Sequence, residues 1–155
     1  MVAVNPLTHD DEAFLRRLLI ATLADELAAW AWPEAMRDQL LDMQYRIRRQ
    51  GIQANYPTAQ CSIVSEGGAP VGWVVVCWSD AEAHIVDIAV LPERRNSGIG
   101  ATVLRGVLAE SDRRGVPASL NVNVTNRAVR LYERLGFTRT GGNQVQHFME
   151  RAPVR

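Results

Sequence analysis

The sequence predicts an α+β fold built on a mixed, mostly antiparallel sheet. Three apolar runs separated by turn signals, at residues 60–65, 71–78 and 83–91, are typical of an antiparallel meander. A helical pattern over residues 98–113 then leads to another apolar run at 120–124. Because a strand–helix–strand crossover joins parallel strands, at least one pair in the sheet should be parallel.

Two helices are predicted before the meander. Asp10 and Asp11 can cap a first helix whose apolar pattern continues to Trp30. Pro33 suits the first turn of a second helix, which should end near Gly51. The second helix repeats its apolar residues at helical spacing, at Met36, Leu40, Met43 and Ile47.

The chain closes with a short helix and a hairpin. Residues 126–135 form the predicted helix, which Gly136 ends. Segments 137–140 and 145–150 can pair around Gly141 and Gly142. No linker or internal repeat interrupts the 155 residues, so we expect a single domain over residues 1–155.

The charge and composition exclude several classes of protein. Seventeen basic and seventeen acidic residues cancel, so there is no electrostatic case for a nucleic-acid partner. Every basic residue is an arginine, which excludes Schiff-base chemistry on a lysine. No signal pattern and no membrane-length apolar run is present, so we expect a cytoplasmic protein without a membrane partner. The abundance of alanine and arginine is typical of a GC-rich bacterial genome.

The cysteines and histidines do not indicate a metal site. Cys61 and Cys77 lie in separate strand-like runs without a CxxC spacing, which predicts two buried thiols in a reducing compartment. His9, His84 and His147 are scattered along the chain and lack the spacing of metal ligands. We therefore expect no metal ion.

A strand, a glycine-containing turn and a helix start follow one another at residues 85–101. The turn reads Arg95-x-x-Gly98-x-Gly100, and such a turn lets several backbone amides approach one phosphate group. The start of the helix adds unpaired N–H groups and a partial positive charge, and Arg95 can add a charged hydrogen bond. A dinucleotide-binding turn is set aside because Val103 stands where its third glycine would be.

Further motifs lie about thirty residues downstream, at Asn126, Ala128 and the run Leu-Tyr-Glu-Arg-Leu-Gly-Phe at 131–137. Together with the glycine turn they resemble the GNAT superfamily of acyl-CoA-dependent N-acyltransferases. The resemblance implies the GNAT-like fold, with a central pair of parallel strands that splay apart and helices on both faces of the sheet. It also implies acetyl-CoA (coenzyme A) as cosubstrate. The residues that it assigns to coenzyme A are Ile88, Ala89, Val90, Arg95, Asn96, Ser97, Gly98, Ile99, Gly100, Ala101, Asn126 and Tyr132.

For Asn96, Val90 and Asn126 the expected role can be stated more closely. Many GNAT members have a glycine where this chain has Asn96, and asparagine tolerates unusual backbone angles better than most residues. By the resemblance, the Val90 amide points at the thioester carbonyl and stabilises the oxyanion. Asn126 either binds the pantetheine arm or caps the helix that follows it, and the two roles are compatible.

Candidates for acid and base catalysis come from the same resemblance. Tyr132 would protonate the leaving thiolate, and the alternative is a core tyrosine with a satisfied hydroxyl. Glu82 and His84 match positions of the general base in some members, although a solvated or structural role is equally compatible. Strand alternation places Asp87 on the opposite face from His84, where it could bind the substrate amine.

The first two helices and the final hairpin border the acceptor pocket in GNAT folds. Trp32 and Tyr45 are therefore expected to bind substrate, although tryptophans near a helix boundary can equally pack in the core. Further candidates for the pocket are Trp30, Gln44, Tyr56 and His147. The expected acceptor is a small-molecule or peptide amine.

The resulting hypothesis is an N-acetyltransferase that transfers an acetyl group from acetyl-CoA to a primary amine by direct attack in a ternary complex. The alternative is a non-catalytic acyl-CoA-binding or sensing module that keeps the phosphate site but lacks the chemistry. Many GNAT proteins dimerise, so a homodimer is a further expectation.

Overall fold

The computed structural model describes residues 1–26, 28 and 33–155. Within these ranges seven strands form one sheet, and its order is β1-β2-β3-β4-β5-β7-β6. Within the described part of the chain, β4 and β5 form the one parallel pair. The strands are β1 (Val2–Pro6), β2 (Gln60–Glu66), β3 (Ala69–Trp78), β4 (Ala83–Val90), β5 (Ala118–Asn123), β6 (Thr138–Gly142) and β7 (Gln146–Arg151). The predicted mixed and mostly antiparallel sheet is confirmed.

The helices that the structure describes cover the sheet and are α1 (Glu12–Glu26), α2 (Glu34–Asn55), α3 (Ile99–Arg114) and α4 (Ala128–Arg134). From β2 onward the predicted and observed bounds differ by at most two residues. The 3-10 turn His9–Asp11 precedes α1, and the Asp11 carboxylate accepts hydrogen bonds from the amide and hydroxyl of Thr8. The predicted extension of α1 to Trp30 falls on residues outside the described part.

The strand β1 was missed by the sequence analysis. It pairs with β2 alone at the edge of the sheet, and four of its five residues are exposed. An edge strand has no buried face to impose an apolar–polar alternation, and it tolerates a proline such as Pro6. The sequence therefore lacks the pattern by which the other strands were recognised.

The two faces of the sheet carry separate apolar cores. On one face, α3 and α4 pack through residues such as Val103, Leu104 and Tyr132 against apolar residues of the strands. On the other face, Leu15 and Leu18 of α1 pack against the central strands, and α2 lies beside α1. The GNAT-like arrangement, with helices on both faces, is confirmed. The two half-buried thiols of Cys61 and Cys77 contradict the prediction of buried cysteines.

The parallel strands β4 and β5 separate after three residue pairs. Pairing runs from Ala83 with Ala118 to Ile85 with Leu120 and then stops. Beyond that point β4 remains paired with β3 as far as Val90, and β5 remains paired with β7. A cleft therefore opens between the two strands, as the predicted splay requires.

Candidate functional site

Six consecutive backbone amides lie free at the end of β4. The N–H groups of residues 96–101 have no acceptor among the described residues, whereas Arg95 donates to Pro92 and Thr102 donates to Gly98 on either side of them. The last three of these residues belong to the first turn of α3, which begins at Ile99, so the partial positive charge of the helix acts at the same place. This segment, which we call the amide cradle (residues 95–101), can hold an anion such as a phosphate group.

Left-handed backbone gives the cradle its shape. Asn96 has φ 62° and Gly98 has φ 84°, and Asn96 is the one non-glycine residue with positive φ in the described chain. Asparagine and glycine adopt this region more readily than other residues. A Cβ placed on Gly98 or Gly100 would meet no protein atom within 4 Å. Packing within the chain therefore does not require these glycines, and the space beside them is open to a ligand.

The Arg95 side chain turns away from the free amides. It forms an ion pair with Asp25 of α1 and donates from Nε to the carbonyl of Val90 at 3.3 Å. Ser97 donates its hydroxyl to the carbonyl of Arg94 at 2.5 Å. Both side chains thus stabilise the loop, and the groups of the cradle that are left free for an anion are the backbone amides.

The edge of β4 that faces the cleft presents unpaired backbone groups. Leu91 donates its amide to Val71 of β3, so by the alternation of an antiparallel ladder Ala89 also faces β3. The amides of Ile88 and Val90 then point the other way, into the cleft where β5 has already separated. An extended amide-containing chain can pair with this edge as a strand would.

Tyr132 of α4 lies in the apolar core that α3 and α4 form with the sheet. It is 7% exposed, and its ring meets that of Phe137 edge-on with centroids 5.9 Å apart. Burial, together with the negative charge of Asp87, raises the pKa of Tyr132 to about 12. The phenol therefore keeps its proton throughout the neutral range and can act as a donor but not as a base.

Asn126 caps the short helix α4. Its side-chain oxygen accepts a hydrogen bond from the Ala128 amide at 2.8 Å. The capping alternative of the sequence analysis is therefore present, and the side-chain NH2 remains exposed at the end of β5.

A β-bulge on β4 gives Asp87 a different orientation from the one expected. Val75 pairs with Asp87 whereas Val76 pairs with Ile85, so β4 carries one extra residue between them. The bulge shifts the alternation, and Asp87 and His84 both lie on the face covered by α1 and α2. The prediction of opposite faces is wrong because strict alternation fails at a bulge.

The Asp87 carboxylate is already paired. Arg48 of α2 donates from Nε at 2.9 Å and from Nη2 at 2.5 Å, and both side chains are largely buried. Burial tends to lower the pKa of Arg48, but the charge and hydrogen bonds of Asp87, together with the charge of Glu26, outweigh it and raise the pKa. A bidentate pair of this kind leaves the carboxylate little capacity to bind an amine. The sequence offered no signal for Arg48, because its partner lies on a distant strand.

His84 lies where β4 and β5 are still paired, next to the start of the cleft. Its Nδ1 is 2.8 Å from the hydroxyl of Ser119 and 3.9 Å from the carboxylate of Glu82. Its Nε2 is 3.4 Å from the hydroxyl of Tyr56, and the two rings stack. Burial lowers the pKa of His84, and Glu82 opposes this shift. The imidazole is therefore neutral near pH 7 and can accept a proton.

A pocket of about 220 Å³ opens beside His84. It brings together Glu82 and His84, both predicted candidates for the base, with residues from four other parts of the chain. The lining consists of Tyr56, Cys77, Ser79, Glu82, His84, Asn121 and Phe148. Ser119, which holds His84 from β5, was missed by the sequence analysis, because a single serine in an apolar strand carries no signal.

Of the two predicted substrate-binding aromatics, Tyr45 is not among the residues that line this pocket. Tyr45 lies between α1 and α2, where Arg49 donates to its hydroxyl at 3.1 Å and Arg16 lies over its ring. Trp32, like Trp30, lies outside the described residues. Their roles remain predictions from the sequence.

Two further features of the described residues bear on the class of protein. No helix in the described ranges is long and apolar enough to cross a membrane. Across residues 1–26, 28 and 33–155, no group of three or more histidine, cysteine or acidic side chains could hold a metal ion.

Solved structures of acetyltransferases share this fold along nearly the whole chain. PaiA N-acetyltransferase from Thermoplasma acidophilum, in complex with coenzyme A, has a TM-score of 0.75 at 14% identity and covers 98% of this chain and 99% of its own. The ribosomal-protein-S18-alanine N-acetyltransferase from Escherichia coli has a TM-score of 0.67 at 20% identity, with coverage of 100% and 96%. At these identities the similarity establishes the fold alone. Among curated proteins, no sequence matches at a significant level.

The sequence also matches the Acetyltransferase (GNAT) family over residues 18–137. This region includes α2, the splayed strands, the amide cradle and Tyr132, and it makes up more than half of the 155 residues. The match to the family profile and the splayed sheet, with its free amides, lead to one assignment: the chain belongs to the GNAT acetyltransferase family.

Proposed function

We propose that the protein is an N-acetyltransferase that transfers the acetyl group of acetyl-CoA to a primary amine by direct attack in a ternary complex. The observation that carries the proposal is the row of six free amides at residues 96–101, which follows the unpaired edge of β4 after one short turn. A protein that binds a diphosphate with a pantetheine arm needs an anion site for the diphosphate and, next to it, an extended strand edge that can pair with the amides of the arm. The residues of this chain fit both requirements.

In this proposal, backbone groups bind acetyl-CoA. The amides of residues 96–101 hold the diphosphate, and the edge at Ile88 and Val90 pairs with the arm. The Val90 amide, which points into the cleft, polarises the thioester carbonyl. Acetyl-CoA supplies a thioester that an amine can attack, so that a C–N bond forms as the C–S bond breaks.

The amine must lose a proton, and His84 is the proposed acceptor. It lines the pocket at the start of the cleft, and burial keeps it neutral. Glu82, 3.9 Å from Nδ1, stabilises the charge that the imidazole gains. Glu82 is the alternative base, since its carboxylate borders the same pocket.

Tyr132 is the proposed acid for the leaving thiolate. Its pKa of about 12 lies above the usual thiol value near 8.5, so transfer of its proton is uphill in water. A thiolate that forms beside the same buried hydroxyl loses solvation too, which raises its affinity for the proton. The hydroxyl has no hydrogen-bond partner among the described residues, so its proton is available for transfer.

Release of free thiol from acetyl-CoA, measured against a panel of primary amines, tests the proposal. We expect amine-dependent thiol release, together with a rise in the melting temperature when coenzyme A is added. Stabilisation by coenzyme A without turnover on any amine would instead identify an acyl-CoA sensor. Absence of both effects would show that the cradle does not bind coenzyme A.

A further inference from the structure

The pocket beside His84 contains one carboxylate and no cation among its described lining residues. The carboxylate belongs to Glu82, and burial keeps the imidazole of His84 neutral. The chain has no lysine, and no arginine is among the residues that line the pocket. The positions outside the described ranges cannot supply one, because they are Leu27, Ala29, Trp30, Ala31 and Trp32. An acceptor that enters the pocket therefore meets a negative charge without a positive one.

Two arginines from elements next to the pocket are engaged elsewhere. Arg48 of α2 is held by Asp87 in a bidentate pair. The guanidinium carbon of Arg114, at the end of α3, lies 4.3 Å from the ring centroid of Trp78, and its Nε donates to Glu110 at 3.0 Å. Trp78 packs against the core beneath α3, so Arg114 lies across the sheet from the pocket. Neither arginine is free to neutralise a charge in the pocket.

The turn between β3 and β4 fixes the position of Glu82. The hydroxyl oxygen of Ser79 accepts hydrogen bonds from the amides of Ala81 at 3.2 Å and of Glu82 at 3.1 Å. Among the described residues, the one ion-pair partner of the Glu82 carboxylate is His84, whose Nδ1 lies 3.9 Å away. Because that imidazole is neutral, the negative charge of Glu82 is not compensated. In a space of about 220 Å³, a second carboxylate would lie close to it and be repelled.

Two aromatic rings form apolar walls of the pocket. Tyr56, which follows the last residue of α2, stacks on His84 with ring centroids 5.5 Å apart, and Phe148 comes from β7. The volume of about 220 Å³ lies below the roughly 300 Å³ at which sites for drug-sized ligands begin. Aromatic rings bind flat apolar groups through offset or edge-on contacts. The pocket thus fits an apolar group of about the size of one aromatic side chain.

We infer that the acceptor is a small primary amine with an aromatic group and without a carboxylate, so that free α-amino acids are poor substrates. The inference rests on the proposed function and names its substrate class. In an α-amino acid the carboxylate is bonded to the carbon next to the amine, so it enters the pocket with the amine and faces Glu82. A repulsive contact of this kind excludes the wrong ligand. An acceptor without a carboxylate arrives as an ammonium ion, which Glu82 attracts.

Three acceptors with one carbon skeleton test the inference. Phenethylamine has no substituent beside the amine, phenylalaninamide has a neutral amide there, and phenylalanine has a carboxylate. We compare kcat/KM for thiol release at equal concentrations of the neutral amine. The value for phenylalanine should be at least about 10-fold lower than that for phenylalaninamide. The difference should shrink at high salt, because the Glu82 side chain is partly exposed.

Equal kcat/KM for phenylalanine and phenylalaninamide would overturn the inference. Rejection of both, beside good use of phenethylamine, would overturn it too, since that result shows exclusion by size. Turnover of other amines but of none of these three would overturn the inference and leave the proposed function standing. Failure of the proposed function gives a different result, because thiol release is then absent with every amine.

Glu82→Gln assigns the discrimination to one carboxylate. Loss of its assistance to the base should lower the rate with every acceptor, so the readout is the ratio of kcat/KM for phenylalaninamide to that for phenylalanine. We expect this ratio to fall by about 10-fold, toward one. The matched control is Asp80→Asn, which should keep the wild-type ratio, since Asp80 is exposed in the same turn but is not among the lining residues. An unchanged ratio in Glu82→Gln, or an equal fall in both variants, would overturn the inference.

Phe148→Leu tests the aromatic part of the inference. It should lower kcat/KM for phenethylamine relative to n-butylamine by about 2- to 10-fold, because an aromatic pair contributes beyond its apolar area. The matched control is Phe14→Leu, which should keep the ratio, since Phe14 is also half-buried but lies in α1 and is not among the lining residues. A rise in melting temperature with coenzyme A shows that each variant is folded. An unchanged ratio in folded Phe148→Leu would overturn the aromatic preference.

Discussion

The two ends of β4 present different parts of the polypeptide at the candidate site. At its C-terminal end the amide cradle offers backbone N–H groups, and the side chains of Arg95 and Ser97 serve the loop itself. At its N-terminal end the pocket depends on side chains, chiefly His84, held by Ser119 and Tyr56 from other elements. The geometry of the amide cradle is thus set by the local chain, whereas the geometry of the pocket is set by tertiary contacts.

This difference determines how each end responds to substitution. A backbone donor survives a change of its own side chain, so the cradle should tolerate replacements except where left-handed φ is required. A side-chain acid or base disappears with a single substitution. We therefore expect the largest effects at the cleft and pocket, and the smallest in the cradle.

Replacement of Tyr132 by phenylalanine should have the largest effect. Tyr132→Phe removes the proposed acid and keeps the ring packing, so kcat should fall by about 10- to 1000-fold with little change in KM for acetyl-CoA. Steady-state thiol release measures both constants. A kcat close to that of the wild type would remove Tyr132 as the acid and leave it as a core residue.

His84→Gln should lower kcat by about 10- to 100-fold and change the pH profile. Burial lowers the pKa of His84 below the usual 6.5. The fraction of neutral imidazole, and with it the activity, should therefore rise as the pH passes through that lower pKa and then level off. The measurement is kcat/KM against pH with an acceptor amine that is itself neutral over this range. The acid limb should vanish in the variant. If the acid limb persists in His84→Gln, the general base is Glu82 rather than His84.

Gly98→Ala should weaken binding of acetyl-CoA without a large effect on chemistry. A side chain at φ 84° is strained by about 1–3 kcal/mol, which would distort the cradle and raise KM for acetyl-CoA by about 10-fold. The matched control is Gly115→Ala, since Gly115 has φ 71° at the other end of α3. The control should lose stability but keep its KM. An equal rise in KM for both variants would mean that helix stability, not the cradle, controls binding.

Ser119→Ala should have a smaller effect, because it leaves the imidazole in place. Loss of one hydrogen bond to Nδ1 costs about 1 kcal/mol, so kcat should fall by about five-fold and the acid limb of the pH profile should move. Ser111→Ala removes an equally buried hydroxyl, which donates to Leu108 in α3, and serves as the control. If both variants show the same pH profile, Ser119 has only a structural role.

Asn96→Gly should have the smallest effect. Glycine adopts φ 62° without strain, so the folded cradle keeps its geometry and KM for acetyl-CoA should change by less than about two-fold. Asn96→Val, which places a β-branched residue in the left-handed region, should raise KM much more. Similar KM values for the two variants would show that the backbone at this position does not shape the site.

Much of this protein was determined by local sequence. The apolar periodicity of β2 to β5 and α3 fixed those elements, and the glycine turn fixed the place of the cradle. These features depend on residues close together in the chain, where propensity and backbone geometry act directly. The same reasoning missed β1, which lies at an edge and buries no face.

The tertiary structure decided what the side chains of the site contact. The bulge after Ile85 put Asp87 on the same face as His84, and Arg48 then occupied the carboxylate that had been expected to bind substrate. Ser119 reaches His84 across thirty-five positions of sequence. Such contacts arise only when strands distant in sequence pair in one register, and their geometry is set by packing of the whole sheet rather than by any local pattern.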